Sequence, residues 1–194
     1  MPHKFEAKDM KKLDTEWRRQ NLPPLPTLEK LGLSPADTVA DIGCGVGYFT
    51  VPAAQFIAGI NKVYALDTSA EMLTETLRRA NEAGVQNIEA VLTDEYDLKL
   101  QDALVTFALM VNVLHEIEDK SKFIREINRI LTLNGKIAVI EWHKENTNMG
   151  PPAEHRIGQE ETADLLNSLG FETGAVMDFA GKFYGLVAVK KRAL

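Results

Sequence analysis

Apolar and polar positions follow two different periods along the chain from residue 38 onward. Short apolar runs predict strands over 38–42, 62–67, 87–92, 103–111, 136–142, 171–179 and 183–190. Between them, apolar residues spaced three and four apart predict helices over 48–58, from a capping box at 68–71 to Gly84, over 119–131 and around 162–169. This alternation predicts an α/β protein, a doubly wound Rossmann-like three-layer sandwich.

The end of the chain predicts an antiparallel pair, because residues 180–182 are too few for a crossover between parallel strands. The prediction is therefore a seven-stranded mixed sheet with a C-terminal antiparallel hairpin. Residues 96–102 show no clear helical pattern, so the crossover after the third strand is predicted to be reduced. A ligand is expected at the carboxyl ends of the strands.

Residues 1–35 differ in character from the remainder and are predicted to form an N-terminal helical arm or lid on a main domain at 36–194. The stretch 8–19 is polar, with Leu13 and Trp17 four positions apart on one possible helix face. The prolines at 23, 24 and 26 are expected to break any helix there.

Composition narrows the functional classes. The 194 residues carry a net charge of −6, so a nucleic-acid partner is not expected, because such proteins usually present a basic face. Cys44 is the single cysteine, which excludes an intramolecular disulfide and a cysteine-rich metal site. No apolar run approaches the roughly 20 residues that span a bilayer. We expect a cytoplasmic monomer or homodimer, without a resident metal.

The most informative motif covers residues 39–47, where Asp41 precedes three alternating glycines, Gly43, Gly45 and Gly47. Such a backbone can approach a ligand closely and can present N–H groups at a helix N-terminus. The dinucleotide pattern is G-x-G-x-x-G, and here the third glycine comes one residue early. The loop resembles the glycine-rich loop of class I S-adenosylmethionine (SAM)-dependent methyltransferases.

An acid, Asp67, closes the second predicted strand, where it can accept hydrogen bonds from both hydroxyls of a ribose. It could equally be a solvated loop acid beside a helix N-cap. Because a nicotinamide cofactor would use the same acid, an NAD(P)-dependent oxidoreductase stays an alternative. A non-catalytic SAM-binding regulator is a third possibility.

The resemblance implies SAM as cofactor, with S-adenosylhomocysteine as product, and roles for further residues. Asp41 would serve the ammonium group of SAM or order the loop, while loop N–H groups serve its carboxylate. Asp94 would bind the adenine amino group, and the backbone near Asn112 would face the methionyl end. The remaining cofactor-binding candidates are Thr68, Met72, Glu95 and Val111. Met72 could instead be plain core.

Residues 110–117 resemble the segment after the fourth strand in small-molecule methyltransferases close to those of ubiquinone and menaquinone biosynthesis. His115 is the candidate catalytic base there, His143 is a second one, and a structural role is the alternative for His115. The Trp142 to Arg156 stretch, with its Pro151-Pro152 pair, resembles a wall of the substrate side, although two prolines stiffen a loop whether or not it binds anything. Trp142 itself is expected to be half-buried core rather than a platform for the substrate. The predicted function is methyl transfer from SAM to an unidentified small-molecule substrate.

Overall fold

A computed structural model describes residues 10, 12–57, 59, 61–145 and 149–194. The strands are β1 (Val39–Ile42), β2 (Val63–Asp67), β3 (Ile88–Leu92), β4 (Val105–Val111), β5 (Leu131–Trp142), β6 (Phe171–Thr173), β7 (Met177–Phe179) and β8 (Phe183–Lys190). The helices are α1 (Glu16–Asn21), α2 (Pro24–Lys30), α3 (Thr50–Phe56), α4 (Ala70–Glu82), α5 (Lys120–Ile130) and α6 (Gln159–Ser168).

These strands form one mixed sheet in the order β3-β2-β1-β4-β5-β8-β6, and β7 also pairs with β8. Strands β1 to β5 are parallel to their neighbours, whereas β8 is antiparallel to β5. The predicted α/β class, the three-layer arrangement and the antiparallel C-terminal strands are confirmed. The strand count is corrected from seven to eight.

The eighth strand arises because the run predicted over 171–179 is interrupted. β6 and β7 both pair with β8 in an antiparallel sense, and residues 174–176 between them belong to neither strand. The N–H of Gly174 still donates to the carbonyl oxygen of Val187 at 2.9 Å. The two pieces are therefore one edge of the sheet broken by a local irregularity.

Two layers of apolar side chains cover the faces of the sheet. Along β4, Phe107 and Leu109 belong to one cluster, and Ala108 and Met110 belong to the other, as the two-residue period of a strand requires. The first cluster includes residues of α3 and of the N-terminal region, and the second includes residues of α5 and α6. Every residue of β1 is buried, in keeping with a central parallel strand.

Several predicted boundaries shift by one to a few residues. The helix predicted at 48–58 is α3, with Pro52 in its first turn, where the missing N–H costs little. The capping residue of α4 is Ser69 rather than Thr68, because the Ser69 hydroxyl accepts from the N–H of Met72. Leu73 and Ala80 on α4 are buried, whereas Leu77 is 45% exposed.

The start of β5 differs most from expectation. The helix predicted over 119–131 ends at Ile130, and β5 begins at Leu131, five residues before the predicted strand. Asn134 adopts a φ of 65° within this irregular start, so the Asn134-Gly135 pair lies in the strand rather than at the helix end. The predicted absence of a helix in the crossover after β3 is confirmed over 93–104.

The N-terminal residues pack onto the main body. Leu22, Leu28 and Leu31 are buried in the same cluster as α3. The prolines do not abolish helix there: they separate α1 from α2, and Pro24 starts α2, because the first helical residue needs no N–H partner. The division at residue 35 and the role of a lid stay predictions. Residues 1–9 of the predicted arm lie outside the described residues.

Candidate active site at the carboxyl ends of the parallel strands

A cavity of about 760 Å³ opens where the parallel strands end, within the range typical of small-molecule sites. Its lining comes from the loops after all five parallel strands and from the segment around α1. The predicted site residues that line it are Asp41, Gly43, Gly45, Asp67, Thr68, Met72, Asp94, Glu95, Val111, Asn112 and His115. Because the carboxyl ends of the parallel strands share one edge of the sheet, residues that are far apart in the sequence come together there.

Gly47 is the one predicted cofactor residue outside this lining. Its φ is +78°, and a Cβ atom there would lie 2.9 Å from Cγ2 of Thr76 on α4. At Gly43, with a φ of +68°, a Cβ atom would lie only 2.5 Å from Cγ2 of Val113. Glycine at these two positions therefore permits close packing of the loop against its neighbours.

The N–H groups of the glycine loop already have partners inside the protein. Those of Gly43 and Cys44 both donate to the carbonyl oxygen of Leu66, at 2.8 and 3.0 Å. The N–H of Gly47 donates to the carbonyl oxygen of Cys44 at 3.0 Å. Binding of a ligand carboxylate by loop N–H groups stays a prediction, and these three donors would have to exchange partners to take part.

Asp67 joins the glycine loop to the start of α4. One carboxylate oxygen accepts from the N–H of Gly45 and the other from the N–H of Ser69, both at 2.9 Å. Burial raises the pKa of Asp67, although the two N–H donors oppose that rise. Each oxygen keeps acceptor capacity, because a carboxylate oxygen has two lone pairs. The carboxylate is thus held rigidly at the cavity wall and can still accept from ligand hydroxyls.

Asp41 lies beneath the loop and is 3% exposed. Its Oδ2 accepts a 2.5 Å hydrogen bond from Oγ1 of Thr50, in the first turn of α3. Burial raises its pKa to about 6, the hydrogen bond from Thr50 lowers it, and the charge of Asp67 adds to the rise. The loop-ordering role is therefore visible in the structure, and contact with a ligand ammonium stays a prediction.

Arg18 on α1 was not anticipated from the sequence, where it sits in a polar stretch without a motif. Its Nη1 donates to the carbonyl oxygen of Leu13 at 3.1 Å, and its guanidinium lies 4.7 Å from the ring centre of Tyr48. Its buried Nε has no hydrogen-bond partner among the described residues. Burial lowers the pKa of Arg18. A buried donor of this kind costs free energy unless an acceptor meets it.

Asn112 supplies the complementary group. It follows β4 with a φ of 58°, and its N–H donates to the carbonyl oxygen of Ile140 at 2.8 Å. Its Oδ1 is buried and lacks a hydrogen-bond partner among the described residues. A buried polar atom without a partner costs about 1–3 kcal/mol. One such donor at Arg18 and one such acceptor at Asn112, both lining one cavity, fit a ligand with a carboxylate and an ammonium group.

The residues predicted to contact adenine line the cavity after β2 and β3. The side chain of Met72 is buried, whereas that of Asp94 is 76% exposed and forms an ion pair with Lys99 at 2.9 Å. Asp94 is therefore a carboxylate at the mouth of the cavity, accessible to an exocyclic amino group. Because that position is solvated, its contribution to binding should be smaller than that of Asp67.

His115 forms a buried pair with Glu141 at the end of β5. Nδ1 of His115 lies 2.7 Å from Oε2 of Glu141, and the backbone N–H of His115 donates to Oε1 at 3.2 Å. The side chains are 8% and 1% exposed. Burial lowers the pKa of His115, but Glu141 and Glu116 outweigh it, and the net shift is upward. His143, the second candidate base, pairs with Asp178 outside the cavity lining.

The last wall is aromatic. The indole rings of Trp17 and Trp142 stack with centres 5.9 Å apart, and the ring of Phe183 lies 4.3 Å from that of Trp142. The buried guanidinium of Arg156 donates to the carbonyl oxygens of His143, Glu145, Met149 and Pro151. These bonds hold the loop with Pro151 and Pro152 against the cavity.

Residues 40–139 match the family described as "Methyltransferase domain". The chain belongs to this family. The fold and family imply SAM as the methyl donor, so the predicted cofactor, fold family and enzyme class, a SAM-dependent methyltransferase, are confirmed. Nothing in the family match or in the similar proteins favours a nicotinamide-dependent oxidoreductase or a non-catalytic regulator.

The methyltransferase resembles a SAM-dependent methyltransferase from Aquifex aeolicus in structure, with a TM-score of 0.91 and 30% identity over 96% of this chain and 100% of that one. It is 30% identical to a 2-phytyl-1,4-naphtoquinone methyltransferase of Trichormus variabilis over 59% of this chain and 51% of the relative. It is 24% identical to a demethylmenaquinone methyltransferase of Listeria welshimeri over 70% of this chain and 55% of the relative. The chain spans about half the length of these curated relatives. None of the helices among the described residues is long and apolar enough to cross a membrane.

Proposed function

We propose that the methyltransferase transfers the methyl group of SAM to a small hydroxylated aromatic acceptor, the reduced (hydroquinone) form of a quinone. The observation that carries the proposal is one continuous cavity with a polar half, lined by Asp67, Arg18 and Asn112, and an aromatic half, lined by Trp142 and Phe183. Two relatives bear names that specify a naphthoquinone and a demethylmenaquinone, which supports an aromatic ring in the second half.

The polar half suits the donor. Asp67 would accept from the ribose hydroxyls, the Nε–H of Arg18 would donate to the carboxylate, and Oδ1 of Asn112 would accept from the ammonium group. Asp94 would accept from the adenine amino group, and Met72 would give an apolar contact. Thr68, Glu95 and Val111 complete the predicted lining. When bound, SAM supplies a methyl carbon attached to a positively charged sulfur.

The aromatic half suits an acceptor ring. Flat rings pack against aromatic side chains in offset or edge-to-face geometry. Trp17, Trp142 and the buried Phe183 pack on one another here, and the two half-buried indoles are the parts of this cluster that an acceptor ring would meet. Arg156 fixes the loop beside them through four backbone carbonyls. Holding two reactants in register can supply effective molarities of about 10⁵–10⁸ M. Positioning is thus the main contribution expected from these residues.

Donor binding is tested by calorimetry with S-adenosylhomocysteine and with NAD. We expect binding of S-adenosylhomocysteine and none of NAD. Binding of NAD alone would overturn the assignment of the polar half to SAM.

The acceptor is tested with SAM labelled in its methyl group and a panel of probes: 1,4-dihydroxynaphthalene, homocysteine and a transfer RNA. We expect label in the naphthalene ring system only. Asp67→Asn should reduce labelling, and Asp164→Asn, an exposed aspartate on α6, is the matched control that should not. Label confined to the thiol or to the RNA would contradict an aromatic acceptor.

A further inference from the structure

His115 and Glu141 form a close, buried pair of polar side chains at the cavity, and hydrophobic packing does not explain why two such groups are buried together. Both side chains are almost inaccessible to solvent, yet His115 is part of the cavity lining. The two residues come from different strand ends, His115 from the 3₁₀ turn after β4 and Glu141 from β5. They meet only because those strands are neighbours in the sheet.

Glu141 determines which ring nitrogen of His115 carries the proton. Nδ1 lies 2.7 Å from Oε2 of Glu141, and a carboxylate in its ionised form can only accept a hydrogen bond, which makes Nδ1 the donor of this pair in that form. The backbone N–H of His115 binds the other carboxylate oxygen, so ring and carboxylate are fixed relative to each other. Nε2 is then the nitrogen with a free lone pair. Its neighbour is Oε1 of Glu116 at 3.8 Å, beyond hydrogen-bond distance.

The charged surroundings favour protonation of this imidazole. Glu141 on β5 and Glu116 on the 3₁₀ turn both act to raise the pKa of His115, against burial and against Lys120 at the start of α5. Tyr184 on β8 faces Glu141 from the neighbouring strand and also feels the charge of Glu161 on α6, and its hydroxyl is engaged with Thr162 and the Ile157 carbonyl. An imidazole that is stabilised when it becomes charged is a stronger proton acceptor.

We propose that His115 is the catalytic base of the transfer and that Glu141 is the positioning residue that orients and strengthens it. The inference rests on the proposed function and concerns an acceptor with an aromatic hydroxyl. Nε2 takes the hydroxyl proton, and the electron pair released reaches the methyl carbon through the oxygen or the conjugated ring carbon. A bond to that carbon forms as its bond to sulfur breaks, the bonding pair stays on sulfur, and the imidazolium later loses its proton to water.

The first test needs no acceptor. Nitrogen-15 NMR of the imidazole rings in the whole protein reports the tautomer and the titration of His115. We expect the Nδ1–H tautomer in the neutral ring and a lower pKa in Glu141→Gln, because the variant lacks the negative charge. Glu118→Gln changes an exposed glutamate three residues from His115 and should leave the titration unchanged. An Nε2–H tautomer, or an unshifted titration in Glu141→Gln, would overturn the inference.

The second test follows methyl transfer to 1,4-dihydroxynaphthalene between pH 5 and 9. In His115→Gln we expect kcat to fall about 10²-fold or more, the usual contribution of a positioned base, and KM for SAM to stay unchanged. Asp164→Asn, at an exposed position on α6 outside the cavity lining, is the control and is expected to keep wild-type kcat. In Glu141→Gln the rise of kcat with pH should occur at lower pH, because His115 loses its proton more easily without the carboxylate. The maximal kcat should also be lower, because the base is weaker.

The outcomes separate the two proposals. A Glu141→Gln profile that superimposes on the wild type, or a His115→Gln enzyme of normal kcat, overturns the base assignment and leaves the proposed function standing. If the wild-type protein binds S-adenosylhomocysteine but methylates no hydroxylated ring, the proposed function fails, and this inference fails with it.

Discussion

The polar residues around the cavity are of two kinds at the residue scale. Asp67 and Asp41 already accept hydrogen bonds from the protein and therefore shape the glycine loop as well as the ligand site. Arg18 and Asn112 each bury one polar atom without a partner among the described residues. The first kind is expected to influence folding and binding together. Loss of the second kind is expected to weaken binding, although Arg18 also contacts Leu13 and Tyr48 in the fold.

Asp67→Ala should weaken binding of S-adenosylhomocysteine by about 1–3 kcal/mol, because hydrogen bonds to a charged group are lost. Calorimetry measures the effect, and a thermal unfolding curve measures the separate cost of losing the Gly45 and Ser69 bonds. Unchanged affinity in a folded variant would exclude Asp67 from the ribose site.

Arg18→Met should weaken binding of S-adenosylhomocysteine by about 1.5–3 kcal/mol, since a charged donor to the carboxylate is removed. Binding of 5′-methylthioadenosine, which lacks the amino-acid portion, should stay unchanged. The matched control is Arg19→Met, because Arg19 is exposed and pairs with Asp14. An equal loss for both ligands would show that Arg18 acts on the fold of the site and not on the carboxylate.

The element scale shows how the loop after β1 depends on its contact with the segment after β4. Gly43 and Gly84 have nearly the same φ, +68° and +69°, but different surroundings. A Cβ atom at Gly43 would collide with Val113, whereas one at Gly84 would meet nothing within 4 Å. Comparing substitutions at Gly43 and Gly84 therefore distinguishes the cost of backbone strain from the cost of steric overlap.

Gly43→Ala and Gly84→Ala should each lower the free energy of unfolding by about 1–2 kcal/mol, because alanine is strained in the left-handed backbone conformation. Gly43→Ala should lower it by about 1–3 kcal/mol more, because its methyl group overpacks against Val113. Chemical denaturation measures the free energy of unfolding of each. Equal losses would mean that Val113 moves aside without cost.

The spacing of apolar residues predicted most of the helices and strands, because each of these elements buries side chains at the regular spacing of its own backbone. It succeeded for β4 and α5, whose apolar positions follow the strand and helix periods closely. It failed at α2, where Pro24 and Pro26 lie in a first turn that tolerates them. It also failed at 131–135 and 174–176, because pairing with a neighbouring strand decides the backbone there.

At the scale of the whole molecule, the site exists because neighbouring strand ends meet at one edge of the sheet. That rule let the sequence place Asp41, Asp67 and Asn112 together. It could not place Arg18, whose position depends on how the N-terminal segment folds back. Nor could it pair His115 with Glu141, since alternation of elements does not reveal which side chains face each other across adjacent strands.

The buried Asp41 links the stability of the whole fold to pH. Its pKa is about 6 in the folded protein, above the ordinary value of about 3.9. The folded state therefore binds the proton more tightly, and stability is lost as the pH rises from about 4 through 6, by up to about 3 kcal/mol.

Asp41→Asn removes this titration while keeping an acceptor for Thr50. Relative to the wild type, the variant should gain up to about 3 kcal/mol of unfolding free energy at pH 8, with the gain shrinking toward pH 4. Denaturation across this pH range gives the measurement, and Asp164→Asn, at an exposed position on α6, is the control variant. A constant difference between variant and wild type would mean that folding does not raise the pKa of Asp41.

The stacked indoles of Trp17 and Trp142 have an optical consequence. They are the two tryptophans of the chain, one on α1 beside Arg18 and one on β5 beside Glu141. All intrinsic indole emission of the protein therefore originates at the aromatic wall of the cavity. Any ligand that moves α1 relative to the end of β5 changes that emission, so the native protein contains its own fluorescent reporter of site occupancy.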